Sequence, residues 1–189
     1  MKSFDITWDS WKRALESCTR CSLHRSRQHI VPGCGDPRAM LMFIGEGPGA
    51  MEDAQGLPFV GPAGQLLDRM LAAINLERSQ VYIANVVKCR PPGNRVPLPD
   101  EIMACKPFLR GQVALIRPKI IVALGATAAK VVFKDENFRI TRQRGVWKEA
   151  TGVKLLATYH PSYLLRSPEH KKEAWEDMQA IQKALEALS

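Results

Sequence analysis

No part of this sequence reaches the roughly 18 consecutive apolar residues that a membrane-crossing helix requires. Its first residues, MKSFDITWDSWKRALESC, carry no apolar stretch leading to a small-residue cleavage site. A spanning segment and a secretory leader are therefore not expected, and the chain reads as a soluble, cytoplasmic protein. Internal repeats, low-complexity tracts and a dividing linker are also missing. The 189 residues, 46% of them hydrophobic, read as one domain, 1–189, large enough for one sizeable core. The five cysteines are odd in number and follow no leader, which argues against a disulfide framework.

Acidic residues are the minority among the charges: 19 Asp and Glu against 27 Lys and Arg leave a formal net charge of +8. Such an excess suits a polyanionic partner such as nucleic acid, although a merely basic enzyme would show it too. Lys130, Lys134, Arg139, Arg142, Arg144 and Lys148 crowd one region expected to carry loops, and Lys88, Arg90 and Arg95 flank a proline-rich one. Either group can track phosphates or simply be solvated.

The patterning alternates between strand and helix. Trp8, Trp11, Leu15 and Cys18 have helical spacing, and an irregular, turn-rich stretch leads to a first strand at 40–44. Leu66, Leu67, Met70, Leu71 and Ile74 repeat as a helix, VYIANVV (81–87) reads as a buried strand, and Pro99 opens another helix. KIIVALG (119–125) is a third long strand. Two more flank Thr151-Gly152, and Trp175, Met178, Ile181, Leu185 and Leu188 mark a C-terminal helix. This order predicts a layered α/β/α fold with a mostly parallel central sheet, whose ligands bind where strands run into loops. GEGPG (45–49), the loop after VYIANVVK and the segment HPSYLL all follow strands and can converge on one site. A strand ending in a glycine loop by itself suits a phosphate, a nucleotide or a flipped base equally well.

Cys18 and Cys21 form C-x2-C, and Cys89 and Cys105 form C-x15-C. Two such pairs can complete a four-sulfur site for structural zinc or for an iron–sulfur cluster. Zinc ribbons more often show two tight knuckles, so the open second pair leans toward iron–sulfur. Cys105 also suits an ordinary core position on its helix, and Cys34, between two glycines, is the spare thiol.

In this order, GEGPGAMEDAQGLPFVGPAGQLL, YIANVVKCRPPGNRVPLPDEIMAC and HPSYLLRSP resemble the successive motifs of family 4 uracil-DNA glycosylases, over roughly residues 10 to 185. The resemblance implies a monofunctional base-excision repair enzyme. It would act as a monomer on uracil-containing DNA, single- or double-stranded, and hold a structural [4Fe-4S] cluster through Cys18, Cys21, Cys89 and Cys105. It also implies that Phe59 stacks on the extruded uracil, that Gly47 approaches the base through its backbone amide, and that Glu52 excludes the thymine methyl. Cross-linking members of the superfamily carry a reactive histidine on an insertion, and VVKCRPPGNRVPLPDEIMAC has neither. The other competing class is a non-catalytic iron–sulfur or zinc DNA-binding module.

The chemistry can be followed on the residues. Asn85 is a polar interruption in an apolar strand, where a buried amide needs partners. Its carbonyl can accept uracil N3–H while its NH₂ donates to O4, and cytosine presents the opposite pattern at both positions. His160 can stabilise negative charge growing on uracil O2 as the glycosidic bond breaks. The family-1 aspartate that activates water has Gly47 in its place, so Glu46 and Asn94 are the candidates to position water. Leu164 or Leu165 can wedge into the gap left by a flipped nucleotide, and Arg142 and Arg144 can contact phosphates.

Overall fold

A computed structural model describes residues 6–188 of the chain. Its elements follow in the order α1 (Trp8–Glu16), β1 (Cys34–Gly35), β2 (Leu41–Gly45), α2 (Ala50–Gln55), α3 (Pro62–Ala72), β3 (Tyr82–Asn85), α4 (Pro99–Ile116) and β4 (Ile120–Leu124). The second half adds α5 (Ala126–Phe133), α6 (Ile140–Gln143), β5 (Lys148–Ala150), β6 (Val153–Thr158), α7 (Pro161–Arg166) and α8 (Lys171–Glu186). The expected strands are all present, shifted or trimmed by a residue or two. The stretch 81–87 is shortest relative to expectation: its regular pairing ends at Asn85, although the Val86 and Val87 amides still donate to the Gly45 and Glu46 carbonyls.

The six strands form one sheet in the order β1-β3-β2-β4-β6-β5. The inner four pair in parallel, and the short outer strands β1 and β5 pair antiparallel. Every residue of β2, β3 and β4 is buried, because a parallel strand covered on both faces has no wet side to favour polar residues. Successive residues still point to opposite layers. Met42, Ile44, Ala84, Ile121 and Ala123 pack with α1, α4 and α5, while Leu41, Phe43, Ile83, Val122 and Leu124 pack with α3 and α8. These layers are the expected α/β/α sandwich. The β5–β6 hairpin turns through Thr151 and Gly152, both at positive φ (52° and 78°), as a two-residue turn matched to strand twist requires.

Strand order reverses around β2: the chain goes from β2 to β3 on one side, then crosses to β4 on the other. The loops leaving β2 and β4 therefore diverge, and the crevice between them is where a ligand fits in an open α/β sheet. Gly45, Asn85, Leu124 and Thr158 end their strands on that same edge.

Candidate active site

A cavity of about 620 Å³ opens at this edge. Asn85 ends β3 and is only 2% exposed. Its Oδ1 is, among the described residues, the one buried side-chain oxygen or nitrogen with no hydrogen-bond partner. An unsatisfied buried acceptor typically costs about 1–3 kcal/mol, a penalty that a ligand donor would relieve. Gly45, next to it in β2, keeps the space open. A Cβ there would lie 2.5 Å from Asn85 Oδ1 and 2.6 Å from Phe59 Cζ.

Phe59 is buried and held at φ 53°, a left-handed conformation uncommon for a bulky residue. Its ring lies 5.6 Å from that of His160, tilted by 30°. His160 follows β6 as the N-cap of α7. The Ser162 amide donates to its Nδ1 at 3.1 Å, which leaves the proton on Nε2. Burial, aided by the Arg166 charge and opposed by Glu52, lowers the His160 pKa to about 4. The ring is thus neutral near pH 7 and offers an N–H donor. Gly125, at φ 86°, gives it room, since a Cβ there would lie 2.9 Å from His160 Cβ.

Glu52 lines the cavity but spends its carboxylate on the backbone: Gly49 N (3.1 Å), Val60 N (2.9 Å) and Gly61 N (2.9 Å) all donate to it. It thereby ties together the N-terminal ends of α2 and α3. Glu46 and Gly47 line the cavity from the loop after β2. Asn94 lines it from the loop after β3, where its Oδ1 accepts from Arg90 Nε at 2.7 Å.

A second, narrow cleft is lined by Cys18, Cys21, Cys89 and Cys105, with Leu15 and Ala104 among its apolar walls. Arg27 Nη1 donates to Cys89 Sγ at 3.2 Å and to the Cys18 carbonyl at 3.0 Å. Burial raises the Cys21 and Cys89 thiols above their ordinary range and lifts Cys105 to about 11, with Lys88 opposing the shift at Cys105. Among the described residues no three His, Cys, Asp or Glu side chains converge in a geometry for a metal ion. The four thiols share a cleft rather than a point. Cys34 lies apart from them, on β1.

A family model described as the uracil DNA glycosylase superfamily matches residues 32–179. A type-4 uracil-DNA glycosylase of Sulfurisphaera tokodaii is 48% identical over 90% of this chain and 81% of its own length. Those of Thermotoga maritima (46%, over 87% of this chain and 88% of the relative) and Archaeoglobus fulgidus (44%, over 92% and 90%) are also similar. The chain belongs to the type-4 uracil-DNA glycosylases.

Against this family membership, the expected base-handling residues Glu46, Gly47, Glu52, Phe59, Asn85, Asn94 and His160 all line one cavity, and the four expected cysteine ligands line the other. Three expectations change. Leu164 is 1% exposed and packs with Leu66, Tyr159 and Ala174, so it cannot serve as a wedge; Leu165, one position on, is 40% exposed. Arg144 does not face solvent for phosphate contact. Its Nε and Nη2 grip Asp177 at 2.9 and 3.0 Å, and it also donates to the Glu173 carbonyl. Lys88, grouped with the basic loop residues, is wholly buried and donates to the Asn85 carbonyl at 2.8 Å and to Gln112. Arg139 and Arg142 are exposed as expected. Sequence reasoning missed Gly125, Tyr163 and Arg166 at the cavity wall, and Gly45 against Asn85 and Phe59. The first glycine of GEGPG and the arginine in YLLRSP were the available signals.

Proposed function

We propose that this protein hydrolyses the N-glycosidic bond of uracil in DNA, leaving an abasic site. The observation that carries the reading is the unpartnered Asn85 Oδ1, buried in the wall of a cavity that also holds Phe59 and His160. A flipped uracil whose N3–H meets that oxygen would satisfy it, while the same amide's NH₂ meets O4. Cytosine offers an acceptor at N3 and so leaves the oxygen unsatisfied.

Phe59 supplies the stacking face. The His160 Nε2–H is then the donor toward O2, where negative charge grows as the C–N bond lengthens, and a neutral imidazole does this without carrying charge into the pocket. The Gly47 amide approaches the same edge of the base. Because the Glu52 oxygens are already engaged by backbone amides, its exclusion of a 5-methyl group is steric, exerted through a fixed loop. Glu46 and Asn94 position the attacking water. On the DNA side, Leu165 enters the gap left by the base and Arg142 meets a phosphate.

The cysteine cleft fits a [4Fe-4S] cluster: its donor set is four thiols, two of them buried and two half-buried, with Arg20, Arg27 and Lys88 beside them to offset thiolate charge. Bound there, the cluster would supply cross-links between the N-terminal turn and the 89–105 segment; base excision uses the residues of the other cavity. The protein works on DNA as a monomer, and no helix among the described residues is long and apolar enough to cross a membrane. The test is incubation with a uracil-containing oligonucleotide followed by alkali. Strand scission at the uracil position is expected, and an intact strand would overturn the reading.

A further inference from the structure

Phe59 is held in its uncommon backbone conformation from outside the cavity. Arg78 opens the 3-10 turn Arg78–Gln80, does not line the base pocket, and sends its guanidinium back to the loop before α3. Nη1 donates to the Pro58 carbonyl at 3.0 Å, Nη2 donates to the Phe59 carbonyl, and Nε donates to Asp68 Oδ1 on α3 at 2.5 Å. The two carbonyls belong to the peptide planes on either side of the Phe59 Cα. Because the guanidinium is planar and rigid, holding both oxygens with one fork fixes the angle between those planes, which is to say φ and ψ of Phe59. The α3 side of the loop is shaped to match. A Cβ on Gly64 would lie 1.7 Å from the Phe59 carbonyl oxygen, so only glycine lets that carbonyl sit where Arg78 reaches it.

We propose that Arg78, oriented by Asp68, is a positioning residue for base stacking: it locks the Phe59 backbone so that the ring stands as one wall of the base slot. The proposal rests on the reading of the cavity as a uracil pocket. Without the clamp, Phe59 is free to relax to an ordinary φ, and its ring leaves the plane set between Gly45 and His160. The retained charge of a lysine at 78 cannot substitute, because a single ammonium does not hold two carbonyls at a fixed angle.

The test is a double-mutant cycle read by inhibition with free uracil. Arg78→Met and Arg78→Lys should each weaken uracil inhibition by about 10-fold, on the scale of one base–aromatic stack. Binding of uracil-free DNA should stay unchanged in both variants. In a Phe59→Leu background, the same change at 78 should add nothing further, because the ring it positions is gone. Full additivity with Phe59→Leu would overturn the proposal, as would wild-type uracil inhibition by a folded Arg78→Lys protein. If both Arg78 variants fail to fold, Asp68→Asn serves instead: it leaves the fork in place but unoriented, and a loss of about 2–3-fold, again abolished in Phe59→Leu, is expected. Failure of the wild-type protein itself to bind uracil or cleave the oligonucleotide would instead strike the functional reading beneath the proposal.

Discussion

Around the base cavity, side chains keep hydrogen-bonding capacity unspent: Asn85 Oδ1 has no partner and His160 Nε2–H is not engaged by any protein acceptor described. Beside the cysteine cleft the opposite holds. Glu101, fully buried, accepts from both terminal nitrogens of Arg95 (2.8 and 2.7 Å), from the Leu98 amide (2.8 Å) and from Ser22 (3.0 Å), and its pKa falls to about 2 chiefly through Arg95. Lys88, equally buried, is likewise satisfied. A fold tolerates an orphaned polar atom where a ligand is to complete it, and closes its networks where the task is to hold shape. The first region therefore reads as chemistry and the second as a brace. Two struts join them: Glu101 links Ser22, next to Cys21, to the Arg95 wall of the base cavity, and Lys88, next to Cys89, holds the carbonyl of Asn85.

The largest effect should come from the unspent group. Asn85→Ala removes both hydrogen bonds to the base edge and should lower uracil release by about 10²-fold or more, as for sites built to hydrogen-bond their substrate. Asn85→Asp is more specific. A carboxylate repels O4 yet accepts from the cytosine N4 amino group and, if protonated, can satisfy N3. Poor uracil release with a trace of cytosine release is expected, measured on matched oligonucleotides. Wild-type uracil release by Asn85→Asp would return this residue to the brace category and erase the contrast.

Next in size is loss of the brace. Cys89→Ser or Cys105→Ser should abolish the visible absorbance expected of the proposed [4Fe-4S] cluster, lower the melting temperature and weaken DNA binding through the 89–105 segment, whereas Cys34→Ser should leave colour and activity intact. Full colour and full activity in Cys105→Ser would break the four-ligand assignment.

A smaller effect separates two arginines two residues apart. Arg142→Ala should reduce the salt slope of DNA binding by about one unit and affinity a few-fold, since it removes the proposed phosphate contact. Arg144→Ala should leave the slope unchanged and instead destabilise the fold by about 3 kcal/mol, because Asp177, only 2% exposed, loses its charged partner and keeps only the Thr158 hydroxyl. Reversed outcomes would interchange their roles.

That pair also shows what was legible in the sequence. The parallel core strands were readable because apolar runs bounded by turn residues leave few alternatives, and the loops after β2, β3 and β6 had to converge once the strands were parallel. Motif order then pointed to seven residues that line the cavity. Pairings across long separations were not readable: nothing near Arg144 announces Asp177, 33 positions away, and nothing near Phe59 announces Arg78. The choice between Leu164 and Leu165 depends on the rotation of a six-residue helix, where adjacent residues face about 100° apart. Lys88 looked like a loop cation because its charge argued for solvent, whereas the backbone carbonyl of Asn85 and the amide of Gln112 provide for it inside.

The smallest expected effect is an absence of change, and it tests whether His160 works as a neutral donor. Its folded pKa of about 4 lies below the ordinary histidine value of about 6.5, with burial as the main cause. Between those two values the unfolded chain takes up a proton that the native chain refuses, so His160 makes stability fall as pH drops from about 6.5 toward about 4 and contributes no pH dependence above that window. The chemical step should follow the folded value alone. Single-turnover rates measured from about pH 5 to pH 8 should change less than about 2-fold on account of this group, with any acid limb lying near its folded pKa. A break near pH 6.5 that disappears in His160→Asn would mean that the ring titrates freely in the pocket. The donor would then be an imidazolium, and the cavity would be bringing a charge to the base.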